Sequence, residues 1–194
     1  MASRLIYQNR FFTGLLYQIG RVVLRLGGWK VVGEVPNIPK FVAIAAPHTS
    51  NWDFPIFMSV VGVLRLRVRF LGKHTLFKGP LGWLFYWLGG IPVEREGNDV
   101  ADVVKRAAEA FALRDELILG LAPEGTRSKV SKWKSGFYRI AVAADVPIVL
   151  AFVDSKKREV GIGPVFMPTG DMAADMAKIQ AFYSEKAGLK PRNQ

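Results

Sequence analysis

Cysteine is absent from the 194 residues, which excludes disulfides, a thiolate nucleophile and cysteine-based zinc sites. Histidine is scarce, with only His48 and His74, so no multi-histidine metal site is expected. Acidic side chains number 16 against 27 Lys and Arg, leaving a formal charge of +11. No run reaches the ~18–20 uninterrupted apolar residues of a membrane-spanning helix. The apolar stretch from Phe11 to Ile19 is short, carries Gln18 and runs into Arg21 without a small-residue cleavage pattern, unlike a secretory signal. These absences lead to the expectation of a cytoplasmic protein able to lie on a membrane.

Apolar side chains, by contrast, are plentiful. They make up 50% of the chain, and its mean hydropathy is positive despite the charge. Basic disordered tails lack such apolar surface. A folded, greasy and basic protein suits anionic lipid headgroups or nucleic acid, which charge alone does not separate. The length suits one domain with a substantial core.

The first 28 residues form a distinct segment, followed by one domain over residues 29–189. At ~100° per residue, Arg10, Gly14, Gln18, Arg21 and Arg25 fall in one narrow stripe. Phe11, Phe12, Leu15, Leu16, Ile19, Val22, Val23 and Leu26 occupy the other side. Such a helix suits either the interface plane of a membrane or a domain core. Gly27-Gly28 provides a stop signal.

Buried strands are expected at Phe41–Ala46, Leu117–Ala122 and Pro147–Val153, and a helix through Val100, Val103, Val104, Ala107, Ala108 and Phe111. Arg65–Phe70 alternates as an edge or half-exposed strand does. Strands alternating with helices predict an α/β domain with substantial parallel pairing. The tail from Lys190 to Gln194 is expected to fray.

Pro47-His-Thr-Ser-Asn-Trp-Asp-Phe-Pro55 follows the first buried strand, where α/β proteins place functional loops. Thr49, Ser50 or Asn51 suits the cap of a following helix. His48 and Asp53 lie ~140° apart on a continuous helix, so they meet only if His48 sits in the loop and the chain turns before Asp53. A carboxylate on one ring nitrogen leaves the other to take a proton. With no Cys and no Gly-x-Ser-x-Gly elbow, that proton comes from a substrate hydroxyl or water.

Ala122-Pro-Glu-Gly-Thr-Arg-Ser128 follows another strand. Gly125 permits a tight turn and close backbone approach to a ligand. Arg127, Thr126 and Ser128 suit a phosphate, whereas Glu124 either holds Arg127 or binds a substrate hydroxyl. Gly89–Arg95 is a short strand ending in a charged pair, with Arg95 a second phosphate ligand or a solvated strand end. Lys134 adds positive charge nearby in sequence; His74 has no assigned role.

In order, His48-x4-Asp53, Gly89-x-Ile-x-Val-x-Arg95, Pro-Glu-Gly-Thr-Arg-Ser128 and Val146-Pro-Ile-Val149 resemble the lysophosphatidic acid acyltransferase (PlsC-like) family of glycerolipid acyltransferases. The resemblance spans roughly Ala43 to Phe152. It implies a mixed, largely parallel sheet flanked by helices, with an N-terminal amphipathic helix on the cytoplasmic face of a membrane, held peripherally or monotopically. It implies acyl-CoA or acyl-ACP as co-substrate with no bound cofactor, and a lysolipid acceptor, foremost 1-acyl-glycerol-3-phosphate. His48 is then the base and Asp53 its orienting carboxylate; Arg95, Glu124, Gly125, Thr126 and Arg127 bind the acceptor phosphate, and Ser50 and Lys134 add substrate contacts. Glu94 stands where relatives often have Asp, and Pro92 where many have an aromatic residue.

A lyso-aminolipid acceptor lacking the phosphate remains open on these motifs. A nucleic-acid-binding module, suggested by the charge and by Arg65, Arg67 and Arg69, is disfavoured. The aromatics sit in apolar runs rather than among Lys and Arg. The partners expected are an anionic membrane surface, a lysolipid and an acyl carrier, with no nucleic acid. A hydrolase in which His48–Asp53 activates water is the further rival.

Overall fold

Parallel strands buried on both faces read as continuous apolar runs, and Lys40–Ala46 is one: Phe41, Val42, Ala43 and Ile44 are all buried. This strand, β2, lies at the centre of a sheet described, with the rest of the chain, for residues 5–93 and 100–193 by a computed structural model. The other strands are β1 (Lys30–Val32), β3 (Val68–Lys73), β4 (Gly90–Val93), β5 (Leu117–Leu121), β6 (Ile148–Asp154) and β7 (Glu159–Phe166). Their order is β1-β7-β6-β2-β5-β3-β4, and every pair is parallel except antiparallel β6–β7. The mixed, largely parallel sheet expected from the resemblance is the one observed.

Helices cover both faces. On one side pack α1 (Arg10–Leu26), α2 (Asp53–Val63) and the short α3 (Gly82–Trp87). On the other, α4 (Val100–Ala112), α5 (Gly136–Ala144) and α6 (Met172–Ser184) enclose the larger core of Ile44, Leu119, Phe137, Ile140, Leu150 and Ile179. A buried Asp175 anchors α6, accepting from the Tyr138 hydroxyl at 2.8 Å and the Thr169 backbone N–H at 2.7 Å.

The first helix divides its surface three ways rather than two. It docks through Leu16, Gly20 and Leu24, where a Cβ on Gly20 would lie 2.6 Å from the Ser59 carbonyl and Gly62 abuts the Leu16 carbonyl. Small residues at both contacts let the backbones approach. The broad apolar stripe is left in the open: Phe11 is 72% exposed, Ile19 51% and Leu26 84%. The arginine stripe flanks it. An aromatic chain, Phe11–Phe12–Trp87–Trp83, carries the apolar surface onto α3. No helix among the described residues is long and apolar enough to cross a membrane.

Two expectations require correction. Of the two readings of Arg65–Phe70, the half-exposed strand holds from Val68, where buried and part-buried residues alternate, but the edge strand does not, since β3 pairs with β5 and β4 on its two sides. Helix α2 runs to Val63 and closes with the Arg65 N–H on the Gly62 carbonyl and the Leu66 N–H on the Val61 carbonyl, which delays the strand. The tail does not fray through Asn193. Residues Pro191–Asn193 form a helical turn packed onto the loop after β2.

Candidate active site

Ile44 and Leu121 are register partners in β2 and β5, so the two loops leaving those strands emerge side by side at one end of the sheet. Ligand sites of open α/β sheets lie at this edge. One loop carries His48, the other Glu124 and Arg127.

The turn between His48 and Asp53 is the one their spacing requires. Helix α2 opens at Asp53, and the preceding loop folds back over it. Asp53 Oδ2 lies 3.0 Å from His48 Nδ1 and accepts the backbone N–H groups of Thr49 and Ser50, each at 2.7 Å. A single carboxylate oxygen therefore shapes the loop and sets the ring. With Nδ1 donating to Asp53, Nε2 carries the free lone pair. The imidazole is 28% exposed and Asp53 10%, so the ring is reachable while its partner is shielded. None of Thr49, Ser50 and Asn51 caps α2 with its side chain; the N-cap is Trp52, whose N–H reaches Ser50 Oγ at 3.3 Å.

The second loop locks onto the first. Glu124 Oε2 accepts the backbone N–H of His48 at 2.7 Å. Arg127 Nη1 donates to the Asn51 side-chain oxygen. Glu124 thus holds His48 rather than Arg127, whose guanidinium is taken by Asn51. Burial pushes the Glu124 carboxyl up to about 7, against the opposing pull of the His48 N–H and ring; Asp53 adds to the rise.

Gly125 sits at φ +67°, and a Cβ there would lie 2.9 Å from Lys134 Cδ. The Lys134 side chain therefore covers the turn, and its backbone N–H donates to the Pro123 carbonyl at 2.9 Å. Thr126 Oγ1 accepts from the Ser128 N–H at 3.4 Å. Ser50 is buried. The structure thus brings His48, Ser50, Asp53, Glu124, Gly125, Thr126, Arg127 and Lys134 into two adjoining loops. Arg95 and Glu94 lie outside the described residues. A cavity of about 210 Å³ opens beside Glu124, lined by Pro47, Ser128, Trp133, Tyr183 and Asn193.

The tail completes the loop from behind. Lys190 N–H donates to Thr49 Oγ1 and Asn193 Nδ2 to the Thr49 carbonyl, both at 3.0 Å. Sequence reasoning missed these contacts, and Asn51 as the partner of Arg127, because nothing local in the chain signals them. Tyr183, whose hydroxyl lies 3.0 and 2.9 Å from the Ile44 and Ala151 carbonyls, ties α6 to the ends of β2 and β6.

The Acyltransferase family matches residues 31–152. A 1-acyl-sn-glycerol-3-phosphate acyltransferase of Haemophilus influenzae is 26% identical over 71% of this chain and 59% of its own length. The human 1-acyl-sn-glycerol-3-phosphate acyltransferase beta is 32% identical over 55% of this chain and 38% of its own. The chain therefore spans only part of the curated relatives it matches. In fold it is similar to the crystal structure of the 1-acyl-sn-glycerophosphate (LPA) acyltransferase PlsC of Thermotoga maritima. The TM-score is 0.59 at 18% identity, covering 91% of this chain and 80% of that one. With the family match running from β1 through the His48 and Glu124 loops into β6, this chain belongs to the Acyltransferase family.

Proposed function

We propose that the protein transfers a fatty acyl group from an acyl thioester, carried on coenzyme A or acyl carrier protein, to the free hydroxyl of 1-acyl-glycerol-3-phosphate, giving phosphatidic acid. The observation that carries this reading is the His48 Nδ1–Asp53 pair in a reachable loop, with a positively charged loop beside it. The similarity to 1-acyl-sn-glycerol-3-phosphate acyltransferases favours the same acceptor.

In this mechanism the acceptor hydroxyl gives its proton to His48 Nε2 as its oxygen attacks the thioester carbonyl. Asp53 stabilises the imidazolium that forms. Collapse of the tetrahedral intermediate breaks the carbon–sulfur bond, and His48 returns the proton to the departing sulfur. No enzyme-bound acyl group is needed. Arg127, Lys134 and Thr126 surround the phosphate, the first two by charge, and the family resemblance alone gives Arg95 the same role. Glu124 braces the His48 backbone. The cavity beside Glu124 is smaller than the ~300–1,000 Å³ of common ligand pockets, which suits a headgroup with its acyl tail outside.

The exposed apolar stripe of α1, continued by Trp83 and Trp87, lies in the lipid interface and sets the protein peripherally on the membrane. Exposed Trp52, next to Asp53, then faces lipid and helps keep water from the thioester.

A panel of lysolipids offered with a labelled acyl thioester tests the acceptor. Lysophosphatidic acid is expected to be acylated in preference to lysolipids without a terminal phosphate. Equal use of a lyso-aminolipid would remove the phosphate role from Arg127 and Lys134.

A further inference from the structure

At the far end of the sheet from His48, before β3 begins, a second and larger cavity of about 390 Å³ opens between the start of α1 and the turn after α2. Its lining includes Tyr7, Arg10, Thr13, Arg65 and Arg67. The neutral polar groups are already satisfied: the Tyr7 hydroxyl donates to the Leu88 carbonyl at 3.2 Å and Thr13 Oγ1 to the Asn9 carbonyl at 2.9 Å. The arginines are not matched in charge. Among the described residues no carboxylate pairs with Arg10 or Arg65, and Arg67 has Glu116 at 3.8 Å with both side chains mostly exposed.

Arg65 carries an independent sign of use. It follows Leu64, the C-cap of α2, at φ +53°, a left-handed position where glycine closes helices without strain. An arginine there holds a costlier backbone, and its guanidinium stacks 5.1 Å from the Tyr17 ring, beside Arg21 at 5.6 Å from the same ring. The strain is retained where a charge is placed at the cavity.

We infer that this arginine-lined cavity binds the phosphate of an anionic glycerophospholipid in the surrounding bilayer, apart from the acyl-transfer site. The ligand must supply negative charge, and fork-shaped guanidinium groups match phosphate oxygens. The choice of a lipid follows from the neighbouring surface. Phe11 and Leu15 of the exposed apolar stripe follow Arg10 on the same helix, so a headgroup in the cavity leaves its acyl chains along that stripe. The inference rests on the interfacial placement of α1 and not on the acyl-transfer chemistry.

The test is sedimentation of the full chain with phosphatidylcholine vesicles, with and without phosphatidylglycerol. Near a charged surface each arginine is worth about a fivefold change in partitioning, so the Arg10→Gln/Arg65→Gln variant is expected to lose about thirtyfold on phosphatidylglycerol vesicles. Lys105→Gln/Arg106→Gln removes the same charge from α4, across the sheet, and is expected to cost less than about twofold. Arg65→Gly separates binding from folding. It is expected to raise the melting temperature by relieving the left-handed strain, while lowering vesicle binding about fivefold.

Equal losses in the two double variants would reduce the effect to diffuse charge and overturn the site. So would unchanged binding in Arg10→Gln/Arg65→Gln. Thermal stabilisation of the wild type by inorganic phosphate, lost in that variant without any vesicle effect, would assign the cavity to a soluble phosphate and overturn the lipid. Acyl transfer measured in detergent micelles on the same preparations keeps the two readings apart. Arginine-dependent vesicle binding without transfer contradicts the proposed function alone.

Discussion

Glu124 reaches from the loop after β5 to the backbone N–H of His48, its Oε2 at 2.7 Å, so the third motif holds the first in place. The carboxyl is buried and pushed up to about 7 from an ordinary 4.5. Between those values the folded protein keeps a proton that the unfolded chain releases, so stability falls as pH rises. The contribution is complete below about 4.5 and lost above about 7, and the shift corresponds to about 3 kcal/mol. Glu124→Gln retains an acceptor for the His48 N–H and removes the titration. Urea unfolding across this window should show the wild type losing stability relative to the variant as pH rises; parallel curves would refute the linkage.

Thr49 is held from behind by the Lys190 N–H and the Asn193 amide. Thr49→Val leaves the Lys190 N–H without its acceptor, at a cost of about 1–3 kcal/mol. Asn193→Ala removes one neutral hydrogen bond, worth about 1 kcal/mol. If the tail positions His48, both substitutions lower kcat and leave KM for the acceptor near its original value. A rise in KM with kcat intact would place the tail's role in acceptor binding.

At Gly125 the left-handed backbone and the overlying Lys134 act together. Gly125→Ala adds strain of about 1–2 kcal/mol and pushes Lys134 outward. Lys134→Gln removes charge without the strain. Both variants are expected to raise KM for a phosphate-bearing acceptor; Lys134→Gln should leave kcat unchanged. Unchanged kinetics in both would take Lys134 out of the site.

Much of this was legible in the chain because the signals are local. The apolar runs at Phe41–Ala46 and Leu117–Ala122 mark strands, and the five-residue spacing of His48 and Asp53 demands the turn that Asp53 itself builds. The amphipathic pattern of α1 was equally clear, but which face would pack was not. A hydrophobic stripe does not distinguish core from solvent, and the docking face is chosen by Gly20 and Gly62, whose small size permits close approach. The alternation at Arg65–Phe70 marks a half-exposed strand, but not its start at Val68, because the helix ending before it depends on two backbone hydrogen bonds invisible to hydropathy, nor its inner place, which strand pairing alone decides. Glu124, Asn51 and Asn193 found partners 76, 76 and 144 residues away, which no spacing rule reaches.

In the proposed mechanism His48, oriented by Asp53, draws the proton from a lysolipid hydroxyl. The most direct test of that mechanism is product analysis of wild type, His48→Ala and Asp53→Asn, each with a labelled acyl thioester, with and without lysophosphatidic acid. Labelled phosphatidic acid is expected only when the acceptor is present, reduced roughly 10²–10⁴-fold in both variants with the fold intact by circular dichroism. Labelled free fatty acid at the same rate with or without acceptor, or transfer undiminished in His48→Ala, would contradict the mechanism.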